Sequence, residues 1–328
     1  MTAPEEDEHP TASTPSRTKA ALVAVAKFGL GLGLVVGLMV WLGPSWSEVS
    51  QRLELRPGYL VVGFVGTLLA TLVTAARWKI LTEVTSGGGV SYGSFFHYLA
   101  VTRFLGQFSS VLVMDLVGRS VALRAAGNQR GLGLLITPLI LERVLDLVIP
   151  LAMLAWAWAI ITGGVEELRW VSFFVVGLAL FALAIPLLGP MTRAALGLYA
   201  RLRRLRNRDA PAASPVTVST PIAARVAALS MLRYATVVLQ FFGMGAAAGI
   251  VLDARSILSA APIAMLSGLV GITPGGLGIQ EAGWAGALHW LGHDDATIAV
   301  FVLATRTLVI VNFGLLSLLS LPFSGKRR

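Results

Sequence analysis

The chain contains six uncharged apolar runs that are each long enough to cross a lipid bilayer. A helix needs roughly 20 apolar residues to span a hydrocarbon core about 30 Å thick. Because the chain is 55% hydrophobic and only 13% charged, a soluble core could not cover its apolar surface. We predict an all-α polytopic membrane protein with one membrane domain, residues 20–322. The predicted spans are residues 28–47, 57–76, 147–165, 170–192, 234–252 and 307–325.

The segments outside the spans predict the orientation. Residues 1–19 are rich in Pro, Ser and Thr with an acidic run, so we expect a disordered tail. Residues 193–221, predicted as a loop, carry six arginines against Asp209 alone, and residues 323–328 form a basic tail. The positive-inside rule then places this loop and both termini in the cytoplasm, in a multi-pass protein of the cytoplasmic membrane.

Composition also narrows the partners. The net charge of +9 is explained by topology, because the positive residues flank apolar runs, so no nucleic acid partner is expected. The chain has no cysteine, and its four histidines lack a paired ligand spacing. We therefore expect no disulfide, metal site or cofactor.

Two further apolar segments are poor candidates for single spans. Residues 92–118 begin and end beside positive charge assigned to the cytoplasm, so a re-entrant hairpin fits them better than a crossing. Residues 256–292, split at the glycines, give arms of roughly 24 and 21 Å, short of the bilayer core. Each half of the chain is then span, span, hairpin, span, with opposite topology. Such an inverted repeat builds a substrate site near the membrane midplane.

Charged residues inside the apolar stretches are the main functional signal. Each costs about 2.5–3.5 kcal/mol near the bilayer centre unless it is paired or faces water. Two interpretations remain open: a net positive pocket for an anionic headgroup, or internal pairs such as Glu281 with Arg306 or Arg103, and Asp146 with Arg143 or Arg233. Glu142 and Asp146 share a helical face and would repel unless a cation lies between them. The residues are Arg103, Asp115, Arg119, Glu142, Arg143, Asp146, Arg233, Glu281 and Arg306.

The second hairpin is interrupted by "TPGGLGIQEAG", residues 273–283. Pro274 lacks an N–H donor, and Gly275, Gly276 and Gly278 permit backbone angles closed to other residues. We predict that one helix ends and another begins there, with Glu281 stabilised near the new helix start.

This stretch resembles the signature of the lysylphosphatidylglycerol synthase transmembrane-domain family, a flippase-like domain. Three more stretches resemble that family in the same order: "ARWKIL" at 76–81, residues 104–124, and "LERVLDLV" at 141–148. The resemblance implies a polytopic domain with re-entrant elements that handles lipids, either aminoacylated phosphatidylglycerol or polyprenyl-phosphate-linked glycans. It also implies functional roles for these residues: Arg77, Glu142, Arg143, Asp146, Pro274, Gly275, Gly276, Gly278 and Glu281.

The first hairpin departs from that family. The family pattern has a proline and glycines there, whereas this chain keeps the charges, Asp115 and Arg119, and loses the glycines. We expect a stand-alone form without the soluble aminoacyl-transfer domain, and so no lysyl transfer.

Three functions are compatible with the sequence. The first is a translocase that moves an anionic lipid with its headgroup near Arg103, Arg119, Arg143 and Arg306. The second is a proton-coupled carrier of a small solute, with Glu281, Glu142 or Asp146 as the proton site. A membrane enzyme acting on lipid phosphates ranks lowest, so the chain is not expected to be an enzyme. Expected partners are membrane lipids, with a lipid-modifying enzyme or glycosyltransferase as a possible protein partner.

Overall fold

The computed structural model describes residues 17–128, 132–163, 169–206, 218–270 and 273–324. The predicted tails lie mostly outside this part of the chain, as do residues 207–217 of the predicted loop. Apart from one isolated β-bridge, the described residues form helices and turns. The helices are α1 Arg17–Leu42, α2 Trp46–Arg52, α3 Pro57–Ser86, α4 Tyr92–Gly106, α5 Val111–Val113, a π-helical turn Met114–Gly118, α6 Arg119–Ala125, α7 Leu132–Gly163, α8 Arg169–Arg206, α9 Thr220–Ala247, α10 Ala254–Leu269, α11 Ile279–Trp290, α12 Asp295–Leu319 and a 3₁₀ turn Leu321–Phe323.

The prediction of an all-α polytopic membrane protein is confirmed. Among the described residues, four helices are long and apolar enough to cross a membrane: Val25–Leu42, Pro57–Ser86, Thr220–Ala247 and Asp295–Leu319. The other two predicted spans fall in α7 and α8, which are 32 and 38 residues long, so the count of six stays a prediction. The predicted loop from residue 193 is wrong in its first part, because α8 continues to Arg206. Alanine, leucine and arginine dominate that segment and favour helix.

Both predicted hairpins are present as two helices separated by a break. The first hairpin, residues 92–125, pairs α4 with the segment from α5 to α6, and each arm is about 22 Å long. The second hairpin, residues 254–290, has arms of 16 and 12 residues, or about 24 and 18 Å. All four arms are shorter than a bilayer core about 30 Å thick. None can cross it alone.

The two hairpins start from opposite ends of α12, a helix of 25 residues and about 37 Å. At the C-terminal end of α12, Ser320 Oγ lies 2.9 Å from Nδ1 of His97, near the start of the first hairpin. At the other end, Asp294 caps α12 and pairs with Arg52 of α2 at 3.4 Å. The second hairpin begins and ends at that end of α12, where His293 Nε2 lies 2.7 Å from Ser256 Oγ. Opposed hairpins agree with the predicted inverted repeat.

Close packing of α3 on α9 forms the centre of the bundle. A Cβ added to Gly66 would lie 2.6 Å from Cα of Gln240, and one added to Gly243 would lie 2.7 Å from Cα of Gly63. Small residues let membrane helices approach this closely. The two helices are the second spans of the two predicted halves, so an inverted repeat would relate one to the other.

Candidate functional site

The tips of the two hairpins meet through their backbones. The N–H of Gly275 donates to the carbonyl of Ser109 at 2.9 Å, and Ser110 and Pro274 form an antiparallel bridge. Arg306 of α12 donates from Nη1 to the carbonyl of Gly275 at 2.9 Å. Arg306 lies about 17 Å from one end of α12 and about 20 Å from the other. The hairpin tips therefore meet level with the middle of this span.

The glycines predicted to break the second hairpin are required by its backbone. Gly275, Gly276 and Gly278 have φ angles of 62°, 70° and 82°, in the left-handed region that strains other residues. A Cβ on Gly275 would also lie 2.7 Å from the carbonyl oxygen of Gln107 in the first hairpin. The break is thus shaped to receive the opposite tip.

Glu281 is held by two groups of this chain. Its Oε2 accepts a hydrogen bond from the N–H of Gly278 at 2.7 Å, which caps the start of α11. Its Oε1 lies 3.3 Å from Nη1 of Arg306. In this structure the partner of Glu281 is Arg306, and not the alternative Arg103. Glu281 and Arg306 together fix the second tip against α12.

Two buried arginines pair with three carboxylates where the first hairpin meets α3 and α7. Arg77 lies between Glu142 and Asp146, 3.5 Å from Oε1 of the former and 2.8 Å from Oδ1 of the latter. It supplies the cation that two carboxylates one helical turn apart require. Arg119 likewise joins Asp115 and Glu142, at 2.8 and 2.7 Å. The side chains of both arginines are at most 2% exposed, so they serve as internal partners.

Three more arginines complete what we call the charge network, and they are less buried. Arg103 lies 3.6 Å from Asp115, which also pairs with Arg143, and Arg233 lies 3.2 Å from Asp146. The side chains of Arg103, Arg143 and Arg233 are 19%, 20% and 13% exposed. The five arginines and three carboxylates of the network leave a formal charge of +2.

These three outer arginines line a cavity of about 140 Å³ between the hairpins, the hairpin cavity. At about 30 Å³ for each water, this is room for roughly five water molecules. Asp146 also reaches its wall, but Asp146 is already paired with Arg77 and Arg233. Residues from both hairpin tips line it, with Gln107 from the first and Gly275 from the second. The cavity lining does not include Arg77, Arg119, Asp115 or Glu142. These four residues lie behind the wall and hold the residues that form it.

Part of the cavity wall was missed at the level of sequence. Gln107, Gln240 and Gln280 bring side-chain amides to the wall, and Thr71 and Thr74 bring hydroxyls. A side-chain amide within an apolar helix can be recognised in a sequence. This criterion identifies Gln240 in α9. The π-helical turn that carries Asp115 had no signal, since no Gly or Pro marks its start. Such turns recur at functional sites.

Comparison with known proteins agrees with these features. A family model described as Lysylphosphatidylglycerol synthase TM region matches residues 28–317. The match includes both hairpins and every residue of the charge network. Among curated proteins, none is significantly similar to this chain.

Proposed function

This chain belongs to the family whose model describes the lysylphosphatidylglycerol synthase TM region, and from that premise we propose that it moves an anionic lipid between the two leaflets of a membrane. The proposal includes the cytoplasmic membrane as the location, with both termini in the cytoplasm. A lipid-modifying enzyme or a glycosyltransferase would supply the lipid.

The hairpin cavity is the single observation that carries this proposal. It lies at the depth where the hairpin tips meet, and three arginines from α4, α7 and α9 reach its wall. A guanidinium is planar, stays charged and donates paired hydrogen bonds that match phosphate oxygens. A headgroup phosphate would occupy this cavity, while the acyl or prenyl chains remain in the surrounding lipid.

The contact between the hairpin tips supports a mechanism with alternating access. The backbone hydrogen bond from Gly275 to Ser109 and the bridge between Ser110 and Pro274 join the tips, and Arg306 ties the second tip to α12. A hydrogen bond contributes only about 0.5–1.5 kcal/mol net where water can replace one partner, and the hairpin cavity lies beside this junction. In an inverted repeat, the site stays in place while one element moves against another. We propose that parting of the tips opens the hairpin cavity to the opposite leaflet.

The ion pairs favour anion binding over the alternative of proton-coupled solute transport. All four embedded carboxylates, Asp115, Glu142, Asp146 and Glu281, lie within ion-pair distance of an arginine. Each would have to release an arginine before it could carry a proton. The arginines, in contrast, outnumber the acids, and three of them, Arg103, Arg143 and Arg233, line the hairpin cavity.

Reconstitution in liposomes tests the proposal. Vesicles with and without the protein would contain a trace of fluorescent phosphatidylglycerol or phosphatidylcholine, and an impermeant quencher would report how fast inner-leaflet probe reaches the outside. We expect the protein to accelerate exposure of phosphatidylglycerol more than that of phosphatidylcholine. Rates for both lipids equal to those of protein-free vesicles would overturn the proposal.

A further inference from the structure

Resting on the proposed function, we infer that the hairpin cavity selects a phosphate group with two negative charges, as in a lipid phosphomonoester or a lipid pyrophosphate. A lipid phosphodiester carries one negative charge and would bind less well. The inference comes from how charge is divided between the inner and the outer parts of the charge network.

The two inner arginines of the charge network, Arg77 and Arg119, are fully engaged by carboxylates of this chain. Arg77 and Arg119 each contact two carboxylates, and both arginines are almost fully buried. Together they link all three acids of the network: Asp115, Glu142 and Asp146. Two arginines against three acids leave one negative charge, which the outer arginines must offset first.

The outer arginines exceed that need by two. Three guanidinium groups, on Arg103, Arg143 and Arg233, offset one residual negative charge and leave +2 at the cavity wall. Charge left uncompensated at membrane depth costs several kcal/mol. A bound group with two negative charges removes this excess, whereas a monoanion leaves half of it. A headgroup with net positive charge, as in lysylphosphatidylglycerol, adds to it.

The donors at the wall are sufficient for such a group. The ion pairs of the outer arginines are made by Nε of Arg103, Nη2 of Arg143 and Nη1 of Arg233. A guanidinium carries five N–H donors on three nitrogens, so each arginine that lines the cavity has donors besides those on the nitrogen of its ion pair. The side-chain amides of Gln240 and Gln280 also belong to residues of the wall, and Gln107 Nε2 donates to the carbonyl of Arg103 at 3.2 Å. A phosphomonoester offers three oxygens without an ester link, one for each arginine.

Two lipids that differ by one methyl group test this inference. Dioctanoyl phosphatidic acid is a phosphomonoester. Dioctanoyl phosphatidylmethanol is its methyl ester, a phosphodiester that carries only one negative charge. Thermal unfolding of the purified chain in detergent would be followed against the concentration of each, because a ligand that binds the folded state raises Tm. Lysylphosphatidylglycerol and inorganic phosphate provide two further arms.

We expect phosphatidic acid to bind about tenfold more tightly than phosphatidylmethanol at neutral pH, since a second charge is neutralised in a partly buried site. Lysylphosphatidylglycerol should bind most weakly. Arg143→Gln should remove the preference, while Arg225→Gln, at an exposed position on α9, should keep it. If Arg143→Gln lowers Tm before lipid is added, Arg103→Gln serves the same comparison.

The outcomes separate this inference from the proposed function. Equal affinity for phosphatidic acid and phosphatidylmethanol, or a preference for lysylphosphatidylglycerol, overturns the inference and leaves lipid translocation intact. Inorganic phosphate that binds as tightly as phosphatidic acid supports a dianion site but contradicts a lipid as its ligand. Weak binding of inorganic phosphate, together with the expected lipid preference, supports both.

Discussion

The N–H of Gly275 lies 2.9 Å from the carbonyl oxygen of Ser109, and this hydrogen bond joins two hairpins that start from opposite ends of the bundle. Because neither hairpin spans a bilayer alone, each tip needs a partner for its backbone groups at membrane depth. The second tip satisfies part of this need with the first tip and part with Arg306. The hairpin cavity lies beside this junction.

Gly275→Ala should destabilise the chain by at least about 1–2 kcal/mol, the cost of left-handed backbone for an L-residue. The added Cβ would also press on the carbonyl of Gln107. Thermal unfolding in detergent would measure the loss. Gly286→Ala is the matched control, since Gly286 lies in the second arm of the same hairpin with open space around it. Equal Tm values for the two variants would contradict the role assigned to Gly275.

Glu281→Gln should lower stability by about 3 kcal/mol, because it leaves Arg306 without its carboxylate in a mostly buried position. The amide would still accept the hydrogen bond from Gly278, so the start of α11 is retained. Arg306→Gln should cost a similar amount. The double variant should lose less than the sum of the two, by about 0.5–3 kcal/mol. Strict additivity would show that the pair is not coupled.

The sequence predicted the architecture because the membrane imposes simple constraints on length and charge. Loop charges predicted the first hairpin, and arm lengths predicted the second, since segments 254–269 and 279–290 are too short to span. Which arginine pairs with which acid could not be predicted, because those pairs join α3, the first hairpin, α7 and α9 across the bundle. Arg77 shows this best: the sequence offers no partner for it, yet it lies between Glu142 and Asp146. The extent of α8 differs from the prediction because an arginine-rich segment after a span is compatible with a loop and with a continuing helix, and here it continues the helix to Arg206.

Arg119→Gln should destabilise the chain by about 3–5 kcal/mol, because Asp115 and Glu142 would both lose a buried partner. Arg124→Gln, at an exposed position on the same helix, should change stability by less than about 0.5 kcal/mol. The free energy of unfolding from denaturant titration in mixed micelles would separate them. A small effect at Arg119 would contradict its structural role.

The predicted orientation can be tested with single cysteines, because the chain has none of its own. Ser50→Cys in α2 should react with an impermeant thiol reagent from outside intact cells. Gly88→Cys, before the first hairpin, should react only after the membrane is opened. Both positions are exposed. The reverse pattern would show that the topology is opposite to the predicted one. Reaction of both cysteines from outside would rule out the inverted repeat.

The most direct test of lipid translocation compares Arg143→Gln with Arg225→Gln in liposomes that contain fluorescent phosphatidic acid. Loss of one charge-assisted contact of about 1.5–3 kcal/mol should slow transfer between leaflets about tenfold or more. We expect Arg143→Gln to show this loss with its fold intact, and Arg225→Gln to match the wild type. Transfer by Arg143→Gln at the wild-type rate would contradict a headgroup site in the hairpin cavity.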